Sequence, residues 1–442
     1  MLKNNLTSKS ITKFVIPSIL LMLFLSIYTA IDNIFISRFV GSDALAALNI
    51  VVPLYSVATA CGIMFATGGG AIVAIKLGQD RLEEASRNFT SLLIIGTIFG
   101  ILATIVCFMY KESIISALGA NGNLKPHAMI YGFYLIISFS FLIIKVIFET
   151  LLRVDGTPKT ALFMTVLGGV INIIFDYIFI VPMQMGIAGA GLGTLLGIVI
   201  STFVGFYHFT SKKSLLKFKI GKPDIQFIIS TGINGSSEMV NEFALAFSTF
   251  VFNILTIKYI GNNGVAAITI ILVLSWIITS VFVGFSTGVA PLISYNYGAN
   301  NKTNIIKVLK YTKKFIFISS LVAFFIGIVA AEPLVGIFTD KSMPVYHTAV
   351  IGMKYFSVNF LFVGINIFGS AFFTAFKNGK ISALIAFTKT FVFFAIAALI
   401  LPLLFKTVGI WLIAPMSEFC SIFIVFLFFH KYQKLYCSPL TK

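Results

Sequence analysis

Apolar stretches of about twenty residues or more recur along the whole length of this 442-residue chain. Each can cross a hydrocarbon layer about 30 Å thick at about 1.5 Å of rise per residue. Few chains are so constrained, because in lipid only a helix or a closed barrel satisfies its own backbone polar groups. The composition agrees: 58% of residues are hydrophobic and only 11% charged, against roughly 45–50% apolar content in soluble domains. The chain is therefore read as an all-α integral membrane protein. The reading gives twelve spans, near 14–37, 45–75, 88–110, 127–152, 160–182, 187–210, 225–257, 264–296, 314–331, 347–376, 381–404 and 408–430. The first follows Lys3, Lys9 and Lys13, runs too long for a signal-peptide core and lacks a small-residue cleavage site, so it is kept as a span. Cys61, Cys107, Cys420 and Cys437 have no metal-ligand spacing, and no disulfide is expected.

A net charge of +17 could point to nucleic acid, but its distribution argues otherwise. When loops are assigned to alternate sides, 23 Lys and Arg residues fall on the side of the N-terminus and seven on the other, with Lys145 and Lys389 inside spans. The positive-inside rule then predicts both termini in the cytoplasm. The expected location is the plasma (inner) membrane, with the lipid bilayer as partner and no nucleic acid.

The chain also repeats itself. RFVGSDALAALNI at Arg38–Ile50 aligns with KYIGNNGVAAITI at Lys258–Ile270 at an offset of 220, and the same offset pairs Asn33 with Asn253 and Gly78 with Gly298. After the third span the offset becomes 223, pairing Gly156 with Gly379 and Gly186 with Gly409. This predicts two pseudo-symmetric six-helix lobes, 1–210 and 225–442, joined by a lysine-rich cytoplasmic linker, 211–224. An even number of spans per half makes the repeat parallel, an arrangement that places substrate between halves that rock.

Buried charge is the functional signal. A carboxylate near mid-bilayer costs about 2.5–3.5 kcal/mol on insertion scales and must pair, bind a proton or face water. Asp32 lies near the outer half of the first span, with Tyr28 one turn away on the same face. Asp176 lies deep in the fifth, with Asn172 four residues before it. Neither aspartate has a basic residue within one helical turn, so each is a candidate to exchange a proton or help coordinate Na+. In the seventh span, Glu238 and Glu242 share a face that returns at Asn253, and Glu242 is the deeper candidate for contact with a cationic substrate. Lys145, Glu149 and Arg153 repeat every fourth residue, as an internal ion ladder would. Lys389 and Glu418 stand in the eleventh and twelfth spans, and spacing alone leaves open whether they meet. Pro17, fifteen residues before Asp32, is a candidate hinge. No zinc-protease, Walker A or nucleophile-elbow motif is present, so no enzyme and no cofactor is expected, and active transport would run on an ion gradient.

IDNIFISRFVGSDALAAL, LRVDGTPKTA and PLISYNYGANN, set in twelve spans, together resemble the multidrug and toxic compound extrusion (MATE) family, bacterial multidrug-exporter branch, over nearly the whole chain. The resemblance implies a V-shaped antiporter that exports amphipathic, often cationic drugs in exchange for H+ or Na+. It also implies a cation- or proton-binding network at the positions of Asp32, Asn172 and Asp176, and a bend of the first helix at Pro17. Tyr28, Glu242 and Asn253 are taken as substrate contacts, and the working unit as a monomer. One departure stands out: another branch has an acidic residue in helix 10, whereas span 10 here has Asn359 and Asn366, which favours coupling through Asp32 and Asp176. The rival reading is a lipid-linked saccharide flippase or another two-lobe secondary transporter. Such flippases often have fourteen spans and a basic cavity, unlike this chain.

Overall fold

The computed structural model describes residues 6–221 and 224–437. These residues form helices and connecting turns: α1 (Ser8–Phe39), α2 (Ser42–Gly78), α3 (Leu82–Met109), α4 (Lys111–Ala117), α5 (Leu124–Val154), α6 (Pro158–Ile180), α7 (Ile187–Thr210), α8 (Ile225–Tyr259), α9 (Asn262–Gly298), α10 (Lys302–Val329), α11 (Ala331–Gly336), α12 (Pro344–Phe356), α13 (Phe360–Ala375), α14 (Gly379–Phe387) and α15 (Ala395–Cys437). A 3-10 turn, Ser357–Asn359, joins α12 to α13, and a π-helical segment, Thr388–Phe394, joins α14 to α15.

Eleven helical stretches among the described residues are long and apolar enough to cross a membrane. The last of them, Gly379–Tyr432, is 54 residues long, about twice what a bilayer needs. Its backbone leaves the helical region at Lys406 (φ 48°, ψ −125°). Pro402 lies just before that break, and at Gly409 a Cβ would stand 2.1 Å from the Leu401 carbonyl oxygen, so only glycine permits the turn. The eleventh stretch is thus two crossings back to back, and the architecture is that of twelve spans. The sequence pattern places the break between 404 and 408, where the backbone has it.

The internal repeat is also visible in the backbone. Gly41 (φ 119°) and Gly261 (φ 86°), 220 residues apart, precede α2 and α9 in conformations that favour glycine. Asp80 (φ 57°) and Asn300 (φ 52°), at the same offset, turn the chain out of those helices.

The chain divides into two compact units. The first is Leu20–Gly235, and the second runs from Ser236 onward and includes the chain up to Ile19. In the first, α2, α5 and α7 pack on one another around Val51, Leu135, Ile136, Phe139 and Ile198. Toward the linker, Phe89, Phe148, Phe209 and Phe218 form a ring cluster. The linker itself is fastened there: Asp155 Oδ1 accepts from the Leu215 and Leu216 amides at 2.9 and 3.1 Å, and its Oδ2 meets His208 Nε2 at 2.8 Å.

In the second unit the core gathers around the buried Trp411, Phe252, Phe282, Phe360 and Phe394. The PLISYNYGANN motif works as a brace. Asn304 Nδ2 donates to Asn296 Oδ1 at 3.0 Å, and Asn304 Oδ1 accepts the Leu6 amide at 3.2 Å, which ties the start of the chain to α9 and α10. With little hydrophobic drive between helices in lipid, such close packing and hydrogen bonding hold the bundle.

Candidate functional site

The site grows from three helices of the first unit. On α6 the spacing of Asn172 and Asp176 puts both side chains on one face, and each residue is only 2% exposed. Across from them α7 reads GAGLGTLLG, so backbone approaches closely. A Cβ at Gly193 would stand 2.0 Å from Asp176 Oδ1, and one at Gly197 3.0 Å from Asn172 Cβ. Asp176 therefore occupies the space a side chain at 193 would take. The third helix is α1, whose Phe24 and Tyr28 rings lie over Gly169.

Polar contacts link these helices into one centre. The Tyr28 hydroxyl donates to Asn172 Oδ1 at 2.5 Å, and Asn172 Nδ2 reaches Thr194 Oγ1 at 3.5 Å. One turn beyond the Tyr28–Asn172 contact on each helix, Asp32 and Asp176 bring their carboxyl groups to the same place. Tyr131 of α5 is buried beside this centre, 5% exposed. For two carboxyl groups to bond there, one must carry a proton, since ionised carboxylates only accept. The Oδ1 atoms of Asp32 and Asp176 are both buried and take no hydrogen bond. Among the described residues, no lysine, arginine or histidine pairs with either aspartate, although ion pairs form elsewhere.

Such a centre has oxygen acceptors to spare and no positive charge of its own. A proton or a small hard cation would satisfy them, because Na+-like ions take carboxylate, amide and hydroxyl oxygens. A transition-metal site is a different matter: among the described residues no three His, Cys, Asp or Glu cluster to hold one.

The structure brings together Asp32, Asn172, Asp176 and Tyr28 out of the residues singled out by sequence. Tyr28, read there as a substrate contact, is a hydrogen-bond donor within this network. Glu242, Asn253 and Pro17 belong to the second unit. There Glu238 and Glu242 lie half-buried on α8, with Asn241 Nδ2 3.5 Å from Glu238 Oε2. Pro17 is buried in α1 just before a close crossing, where a Cβ on Gly284 of α9 would meet Ile19 Cα at 2.6 Å. Of the ladder on α5 one pair forms: Arg153, 3% exposed, pairs with Glu149 at 3.3 Å, and Thr165 donates to the other Glu149 oxygen, whereas Lys145 is not within ion-pair distance of Glu149. Sequence reasoning missed Thr194, Tyr131 and Gly193. The glycine spacing of α7 was the available signal, since it implies a close approach to a facing helix.

Fold and centre together define a helical membrane protein made of two related halves, one of which holds a pair of carboxyl groups that, among the described residues, have no basic counter-ion. A family model described as MatE matches the chain twice, over residues 17–178 and 239–400, which repeats the internal duplication. The chain belongs to the MatE family, a family of transporters and not of enzymes. Among characterised relatives, the multidrug export protein MepA of Staphylococcus haemolyticus is 24% identical over 433 residues, covering 97% of this chain and 94% of that protein. MepA of Staphylococcus saprophyticus is 26% identical over 371 residues, covering 82% and 79%. The fold matches a solved structure of an outward-facing multidrug resistance MATE family transporter with a TM-score of 0.91 at 21% identity, over 98% of this chain and 97% of that one. A MOP superfamily transporter of Pyrococcus furiosus gives 0.89 at 21% identity, over 96% and 95%.

Proposed function

We propose that the protein is a cation-coupled multidrug antiporter, exporting amphipathic, often cationic compounds by alternating access. The observation that carries this reading is the Asp32–Asp176 pair: two carboxyl groups brought to one place by α1 and α6, each with a buried oxygen that takes no hydrogen bond and, among the described residues, no ion pair to a basic residue. In this reading H+ or Na+ entering from outside occupies the pair. Asn172 and Tyr28 orient it, and the occupied centre reshapes α1 around Pro17 toward the state that releases drug. Departure of the ion to the cytoplasm restores drug binding. Coupling of this kind requires only that the ion prefer one conformational state over the other. Glu242 and Asn253 on α8 contact the substrate, with the carboxylate meeting its positive charge. The protein acts as a monomer in the plasma (inner) membrane, with both termini in the cytoplasm as the 23-to-seven distribution of basic residues indicates. The relatives named multidrug export protein support the substrate class.

The test is flux in proteoliposomes under an imposed pH or sodium gradient. Ethidium transport driven by one of the two gradients, and lost in Asp32→Asn, supports the reading. Ethidium transport indifferent to both gradients, or unchanged in Asp32→Asn, contradicts it.

A further inference from the structure

The linker after α7 lies as a strap on the first unit. From Ser211 to Gly221 it forms neither helix nor strand, and side chains of the bundle satisfy its amides instead. Asp155 takes those of Leu215 and Leu216, Ser86 Oγ that of Lys217 at 3.3 Å, and Thr90 Oγ1 that of Lys219 at 2.8 Å. Ser86 and Thr90 are one turn apart on α3, so the strap follows that helix for about 6 Å. Leu216 is fully buried and Phe218 sets its ring against Phe89 and Phe206, whereas Leu215, Lys217, Lys219 and Ile220 turn outward, Ile220 being 87% exposed. With 28 residues α3 is about 42 Å long, against a hydrocarbon layer of about 30 Å, so its first turns stand among lipid headgroups and the strap with them. Beside it α7 exposes Phe203 and, at 79%, Tyr207, aromatic residues of the kind that mark a membrane interface. The acids at the start of α3 are taken, Glu83 by Lys219 at 2.5 Å and Glu84 by Lys76. Lys212 and Lys213 are exposed and, among the described residues, have no acidic partner. Lys217 Nζ donates to the Ser211 carbonyl oxygen, which turns its ammonium back toward theirs.

We propose that this strap is a binding surface for an anionic phospholipid of the leaflet it meets: Lys212, Lys213 and Lys217 hold the phosphate, and an acyl chain lies over Leu215 and Ile220. Lysine suits that depth, because its stem lies along apolar surface while its head stays among the phosphates. Charge and apolar surface together select the ligand. A soluble anion would leave Ile220 and Leu215 in water, and a zwitterionic lipid brings no net charge to three ammoniums. The lipid then fastens the linker from outside as Asp155, Ser86 and Thr90 fasten it from within. None of these residues belongs to the carboxyl centre or to the α8 face assigned to substrate.

Lipid titration of the purified full-length protein in detergent, with bound lipid counted by native mass spectrometry, tests this. The first phosphatidylglycerol binds more tightly than phosphatidylcholine of the same chains by roughly a hundredfold, each lysine near an anionic headgroup contributing about fivefold. Lys212→Gln/Lys213→Gln/Lys217→Gln removes that preference. Lys307→Gln/Lys310→Gln/Lys314→Gln, which takes the same charge from exposed positions on α10, leaves it in place. Leu215→Ser/Ile220→Ser weakens both lipids alike by several-fold. Every substituted side chain is exposed, and an unchanged melting temperature checks that each variant keeps its fold. A preference that survives in the linker triple variant, or that falls equally in both triple variants, overturns the proposal. So does displacement of the lipid by an equal concentration of glycerol 3-phosphate, or binding indifferent to Leu215→Ser/Ile220→Ser, since the surface would then be one for a free phosphate.

Discussion

The two units descend from one repeated sequence, yet they handle buried acid differently. In the first, Asp32 and Asp176 face each other with Asn172, Tyr28 and Thr194 around them and, among the described residues, no basic partner. In the second, Glu418 has Lys389 at 3.4 Å. A buried carboxylate with an internal cation is a finished interaction, and breaking it leaves an uncompensated charge. A buried carboxyl pair without one is unfinished and completes itself only by taking a cation from outside. In the function proposed above, this difference assigns ion exchange to Asp32 and Asp176, and leaves Glu242 of the second unit to the substrate.

Substitutions that erase or transplant this difference should act in a definite order. The largest effect is expected for Asp32→Asn, which removes the charge but keeps the shape. Resistance conferred on a drug-sensitive bacterial host should fall to the level of an empty vector while the protein still inserts at normal abundance on immunoblots. Arg153→Met comes next. It strips the cation from a paired acid of the first unit, leaving Glu149 buried, so thermal unfolding in detergent should register a loss of about 3–5 kcal/mol. Residual folded protein should still transport, which separates a structural pair from the coupling pair. Gly193→Ala is smaller. Its methyl would occupy the place of Asp176 Oδ1, and overpacking costs about 1–3 kcal/mol. Transport should fall more than stability, because the displaced atom belongs to the centre, and a parallel alanine at Gly232, where a Cβ would meet nothing within 4 Å, should do neither. Tyr28→Phe removes one donor to Asn172 and should cost about 1–3 kcal/mol at most, seen as a shifted pH or sodium dependence of transport and not as its loss. Smallest of all is Lys125→Met. It breaks an exposed pair with Glu112, and the melting temperature should not move measurably.

The spans, the duplication and the break near Lys406 are legible in the sequence because each is local: apolar length, a constant offset, and Pro402 and Gly409 around a single turn. The Asn172–Asp176 face is legible for the same reason, being one helical turn. That Asp32 on α1 meets Asp176 on α6 is a tertiary fact 144 residues apart in the chain. No periodicity encodes it, and only the resemblance to a family suggested it. Thr194 and Tyr131 were invisible because a hydroxyl on an apolar helix more often bonds its own backbone, as Thr90, Thr97 and Thr249 do here. Lys389 and Glu418 could be named but not joined, since the chain reverses between them and the π-helical segment that aims the lysine carries no sequence signature. In the second unit, then, the residue types were readable and their pairing was not.

The account turns on the first unit alone holding the exchangeable cation, and direct cation counting tests that most sharply. Purified protein in nanodiscs is equilibrated with radiolabelled sodium, and in parallel its proton uptake is measured on a small pH step, for the wild type, for Asp32→Asn/Asp176→Asn and for Glu238→Gln/Glu418→Gln. The account predicts cation binding, of whichever ion, that vanishes in the aspartate pair and persists in the glutamate pair. Binding that survives in Asp32→Asn/Asp176→Asn and disappears in Glu238→Gln/Glu418→Gln would contradict it.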